Sequence, residues 1–147
     1  MKNILIHGLG QNHKSWNETI KFLEIDNIDV LCRALFKMSS GNSNDYQNIF
    51  SSFSDFCNNQ EGKLNLCGLS LGGILALDYV KKYPEKVNSM SNHNIKNGLD
   101  KINCKSLILC GSKDKANMKS AKQISQSIRK SEFKIVKDSS HEVNVDN

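Results

Sequence analysis

The sequence contains no apolar run approaching the roughly 18 residues that a bilayer-spanning helix needs, which excludes a transmembrane segment of that kind. No small-residue cleavage site follows the short apolar stretch near the N-terminus. That stretch therefore reads as a first strand and not as a signal peptide, and the expected location is the cytoplasm. None of the five cysteines, Cys32, Cys57, Cys67, Cys104 and Cys110, forms a Cys-x-x-Cys pair, and the number is odd. A disulfide framework or a zinc knuckle is thus not expected, and no metal-ligand cluster is visible. The cysteines fit small buried hydrophobes in a reducing compartment. Arginine is scarce, with only Arg33 and Arg129, and no lysine run exceeds Lys81-Lys82. The net charge of +5 is spread thinly, so a nucleic-acid partner is not expected.

What remains is one domain's worth of chain over residues 1–147. Its apolar residues, 38% of the total, come in periodic blocks. Strands are predicted at Ile4–His7, Ile28–Cys32, Leu64–Cys67, Ser106–Cys110 and Phe133–Val136. Between them, apolar residues recur at helical spacing. Trp16, Ile20 and Leu23 mark one helix, and Tyr46, Ile49, Phe50, Phe53 and Phe56 another. Leu71 to Tyr83 forms a third, stopped by Pro84, and Ala121, Ile124 and Ile128 mark a fourth. Ser39 to Asn44, with Gly41, reads as a turn. This alternation predicts an α/β chain: a mostly parallel sheet of about five strands with helices on both faces. In such a sheet, chemistry collects where strands end at their carboxyl edge.

Three post-strand segments stand out. Gly68-Leu69-Ser70-Leu71-Gly72 contains Gly-x-Ser-x-Gly between an apolar strand and an apolar helix. So abrupt a turn holds its central residue in a strained conformation, and the flanking glycines remove side chains that would clash. The Ser70 hydroxyl is then raised at a helix N-terminus, where the Leu71 N–H can face a developing oxyanion. A hydroxyl needs a base, and His141 follows the last strand. The base needs a carboxylate, and Asp114 follows the strand before it, although Asp114 alone could be a helix N-cap. The order Ser70, Asp114, His141 is that of one hydrolase architecture. After the first strand, His7-Gly8-Leu9-Gly10 offers the Leu9 N–H as a second oxyanion donor. His7 is read as structural, and His13 and His93 as solvent-facing.

A dinucleotide site is excluded because the third glycine would have to be at His13, and Cys32-Arg33 stands where an acid is needed. Gly62-Lys63 is not a phosphate loop. The alternative to catalysis is a degraded hydrolase relic that keeps the three residues but has lost its pocket.

The sequence resembles the α/β-hydrolase superfamily, in its esterase-like and lipase-like branch. The resemblance rests on His-Gly-Leu-Gly with Trp16, Gly-Leu-Ser-Leu-Gly-Gly, Tyr83-Pro84-Glu85-Lys86-Val87, Leu-Ile-Leu-Cys-Gly-Ser-Lys-Asp and Ser-Ser-His-Glu. It implies Ser70 as nucleophile, His141 as base, Asp114 as its partner, and Leu9 and Leu71 as oxyanion donors. It also implies a small-molecule acyl substrate and no cofactor. The chain departs from the family pattern in three places. Asn88 to Asn94 is too polar for a central strand, little remains of a cap apart from Asn94–Ile102, and a closing helix after His141 is missing. A lost central strand would leave a gap in the sheet, and the expectation is either that another copy of the chain associates there or that the sheet stays marginal and partly open.

Overall fold

The computed structural model describes residues 1–38, 45–92 and 98–146. Six strands form one sheet: β1 (Lys2–Ile6), β2 (Val30–Cys32), β3 (Leu64–Gly68), β4 (Val87–Asn92), β5 (Lys105–Gly111) and β6 (Ser131–Val136). All neighbours pair in parallel, in the order β2-β1-β3-β4-β5-β6. The helices are α1 (Asn17–Ile25), α2 (Leu35–Met38), α3 (Tyr46–Asn58), α4 (Leu71–Lys82), α5 (Lys115–Ser127) and α6 (Val143–Asp146). The predicted turn over Ser39–Asn44 lies outside the described residues.

The two sheet faces are covered unequally. Ile4, Ile6, Leu64, Leu66, Met90 and Ile108 point towards α3, α4 and α5 and build the main core with them. α3 contributes the stripe read from its sequence, with Ile49, Phe53 and Cys57 buried. The Phe53 ring meets Tyr79 of α4 edge-on at 5.8 Å. α4 is buried along most of its surface, as its nearly continuous apolar sequence requires. It ends before Pro84. On the other face, a smaller cluster of Leu5, Trp16 and Leu69 packs with Ile20, Val30 and Val143.

The expected loss of a central strand is overturned. β4 fills the space between β3 and β5, so the sheet has six strands and no gap. Its polarity has two physical explanations. First, a bulge shifts the register between Leu64 and Asn65, so that Leu64 pairs with Val87 but Asn65 pairs with Ser89. Asn88 is the extra residue, and Val87 and Met90 both turn to the core although they are three apart. The period-two pattern is broken by that insertion. Second, the opposite face needs few apolar residues there. Ser89 Oγ donates to Asn65 Oδ1 at 2.7 Å, and Asn65 Nδ2 donates to Asn3 Oδ1 at 2.7 Å. A polar row thus runs laterally over three strands. Residues 93–104 alone connect β4 to β5, which leaves no room for a cap domain. Of the expected cap helix, residues 93–97 lie outside the described residues, and Leu99–Lys101 form a single 3₁₀ turn. His93 falls in the same undescribed segment.

The position of β4 predicts its mutational profile. Met90→Ala should lower the unfolding free energy by about 2–5 kcal/mol in a urea titration. Asn88→Ala, at the exposed bulge, should cost no more than about 1 kcal/mol. Equal, small effects at both positions would contradict a buried central β4.

Candidate active site

In this strand order the chain winds outward in both directions from β1 and β3. In sheets of this kind ligand sites form at the carboxyl edge by such a switch point. Gly8-Leu9-Gly10 follows β1 on one side, and Leu69-Ser70 follows β3 on the other. Ser70 has φ 51° and ψ −116°, a conformation that a residue with a Cβ rarely adopts. Such a residue costs on the order of 1–3 kcal/mol unless its surroundings force it. Here they do. A Cβ on Gly68 would lie 2.4 Å from the Gly72 carbonyl, and one on Gly72 would lie 2.2 Å from the Ile6 carbonyl oxygen. The Leu69 N–H donates to Ile6 O at 3.0 Å, and the Gly72 N–H to Leu69 O at 2.8 Å. Strand, turn and helix are therefore locked backbone to backbone. Leu71 opens α4, so its N–H has no acceptor within the helix.

The loop after β1 abuts this elbow. A Cβ on Gly8 would come within 3.4 Å of Ser70 Cβ, which places Leu9 in the segment beside the serine. The Leu9 side chain is largely exposed. Gln11 ties the loop down, its Oε1 accepting from the Gly8 N–H at 3.3 Å and from Ser15 Oγ at 3.2 Å. His7 is fully buried beneath the loop. Its Nε2 accepts from the Leu35 N–H at 3.1 Å, so its Nδ1 carries the proton and donates to Gly8 O at 2.9 Å. That is a structural role, as read from the sequence. His13 is exposed.

At the other end of the sheet, Asp114 and His141 meet. His141 Nδ1 lies 2.8 Å from Asp114 Oδ2. Asp114 contacts His141 and caps a helix at once, because its Oδ1 also accepts the Asn117 N–H at 3.2 Å as the N-cap of α5. The turn bearing His141 is pressed onto the end of β5. A Cβ on Gly111 would lie 2.0 Å from Ser140 O, and the Lys113 N–H donates to Ser139 O at 2.9 Å. α6 then ties the turn across the sheet, since Asn144 Nδ2 donates to Ser15 O at 3.2 Å.

Asn117 escaped the sequence reading. Its Nδ2 donates to Asp114 Oδ1 and Oδ2 at 2.9 and 3.0 Å and lies 3.3 Å from His141 Nδ1. The available signal was its place three residues after an N-cap acid, the spacing of a capping box. Burial disfavours the Asp114 carboxylate, but hydrogen bonds from His141 and Asn117 outweigh it and hold its pKa below the ordinary carboxylate value. The group stays ionised through the range in which imidazoles titrate.

No protein-family model and no curated protein matches the sequence. Solved structures do. A predicted CIB-like hydrolase from Thermoplasma acidophilum superposes with a TM-score of 0.85 at 20% identity, over 99% of this chain and 79% of that one. MenH from S. aureus gives 0.85 at 14% identity, over 100% and 88%. A carboxylesterase from Bacillus subtilis gives 0.81 at 13% identity, over 99% and 79%. The chain has the α/β-hydrolase fold.

Within the hydrolase fold, Ser70, Asp114 and His141 stand after β3, β5 and β6, all at the carboxyl edge. Asp114 and His141 are in contact, and Ser70 sits on the elbow beside the Gly8 loop. Among the described residues, no group of three His, Cys, Asp or Glu side chains could hold a metal ion, and no helix is long and apolar enough to cross a membrane.

The buried His7 gives the hydrolase fold an acid sensitivity of its own. Burial lowers its pKa from the usual 6.5, which outweighs the hydrogen bond to Gly8 O. The unfolded chain therefore binds a proton that the folded chain resists. Stability should be complete above about pH 6.5 and decline as pH falls below it, towards the lowered folded value. Urea midpoints measured between pH 8 and 5 should show this decline in the wild type and a flatter profile in His7→Gln. A wild-type midpoint unchanged over that range would refute the neutral, buried assignment.

Proposed function

We propose that the chain is a serine hydrolase that cleaves an ester or related acyl bond through an acyl-enzyme. The observation that carries this reading is the 2.8 Å Asp114–His141 contact at the sheet edge that also bears Ser70 on its strained elbow. In this reading Ser70 Oγ attacks the acyl carbonyl while His141 Nε2 accepts its proton. Asp114 fixes the imidazole with its proton on Nδ1 and stabilises the imidazolium, and Asn117 keeps the carboxylate in place. The N–H groups of Leu71 and Leu9 stabilise the oxyanion. His141 then protonates the leaving alcohol. A water molecule, deprotonated by the same imidazole, releases the acid and regenerates Ser70.

The short β4–β5 connection leaves the site without a large lid, which favours small acyl substrates over long buried ones. The carboxylesterase among the fold neighbours supports the ester class. None of these steps requires a cofactor. The odd number of cysteines and the lack of a Cys-x-x-Cys pair fit a reducing, cytoplasmic setting.

Two measurements test the reading. A fluorophosphonate probe should label the wild type at Ser70 and leave Ser70→Ala unlabelled. Failure to label a folded wild type would favour the non-catalytic relic. Asp114→Asn should separate the two duties of that residue, because asparagine caps a helix as well as aspartate does. It should lower kcat on a p-nitrophenyl ester by about 10⁴-fold, from loss of the tautomer-fixing carboxylate, while the melting temperature changes little. An equal loss of stability and activity would assign Asp114 to the cap alone.

A further inference from the structure

The less covered face of the sheet forms a groove of about 680 Å³. Its floor includes Cys67 of β3 and Leu107 of β5, and Thr19 and Leu23 of α1 line one wall. Lys105 and Lys130 stand on the far side, at the amino edge of β5 and β6. α1 itself turns two large apolar side chains away from the protein. Phe22 is 71% exposed and Ile25 74%, three residues apart on one helical face. Isolated exposed apolar residues need no explanation, but a pair beside an open apolar groove does.

The charges are arranged in the same way. Glu24 and Asp26 lie at the carboxyl end of α1, which has no basic residue in its last turn. Negative charge is unfavourable at that end of a helix. Neither residue, nor Lys105 or Lys130, has an ion pair among the described residues.

We propose that two copies of the chain form an isologous dimer in which α1 of each occupies the sheet groove of the other. Knob and groove lie side by side on one face, so a single two-fold axis parallel to the strands satisfies both at once. α1 is the crossover between parallel β1 and β2, and so runs back towards the amino edge of the sheet. That axis keeps the amino edges of both copies together. It seats Phe22 and Ile25 over the partner's Cys67 and Leu107, and brings Glu24 and Asp26 to the partner's Lys105 and Lys130. Association then occurs through a face, and not through the strand gap expected from the sequence.

Sedimentation velocity on the intact chain, from about 1 to 200 μM, tests this. The wild type should reach a dimer. Phe22→Lys and Ile25→Lys should each raise the dissociation constant by tenfold or more, as loss of a buried interface anchor does, with thermal melts that match the wild type at concentrations where both are monomeric, because both sites are exposed in one copy. Lys105→Glu with Lys130→Glu should also dissociate the dimer, and adding Glu24→Lys with Asp26→Lys should restore it. A wild type that stays monomeric at 200 μM overturns the proposal. So does a dimer indifferent to both Phe22→Lys and the charge reversal. A monomer whose groove binds anilinonaphthalene sulfonate would assign the face to another occupant and equally overturn it.

Discussion

Everything at the carboxyl edge of the sheet depends on one close backbone approach, that of α4 to the end of β1. Gly72 passes so near the Ile6 carbonyl that no side chain fits between them, and Gly68 is held as tightly against Gly72 itself. These contacts leave Ser70 no relaxed conformation: its φ of 51° is imposed by the strand on one side and the helix on the other. The same approach brings the Gly8 loop against the serine, because that loop is simply the continuation of β1. Strain at Ser70 and its proximity to Gly8 are therefore two results of one packing constraint.

The second half of the site is built on economy of groups. A single carboxylate caps α5 with one oxygen and holds His141 with the other. Asn117, one turn into the helix, closes the arrangement by bonding both carboxylate oxygens. Helix stability and imbalance of charge are thereby settled by the same hydrogen bonds, which outweigh the cost of burying the carboxylate. His7 follows the opposite logic. It is buried as a neutral ring whose two nitrogens are both engaged by backbone groups, and it supports the loop from below without entering the chemistry.

The unequal covering of the two sheet faces links β4 to the groove. Where α3, α4 and α5 lie, strand residues must be apolar, and Val87 and Met90 are. Where no helix of the described residues lies, Asn65 bonds to Asn3 and to Ser89, and the floor stays open beside α1. A strand that is polar on one side and carries a bulge is consistent with such a face, whether it meets water or a second copy.

The sequence alone determined the alternation of strands and helices, the elbow around Ser70 and the chain order of Ser70, Asp114 and His141. These are local properties: a two- or 3.6-residue apolar period and glycines at fixed offsets from a serine register in a short window. It misjudged β4 because the bulge at Asn88 broke the period, and because the bonds that accommodate Asn65 and Ser89 come from strands remote in sequence. It missed Asn117 because nothing local distinguishes a residue that bonds the Asp114 carboxylate from one that merely sits in a helix's first turn. Only the tertiary structure decided that Asp114 both caps and pairs, that His7 is held neutral, and which sheet face stands open. Each of these depends on which distant groups share a few ångströms of space, and no spacing along the chain encodes that directly.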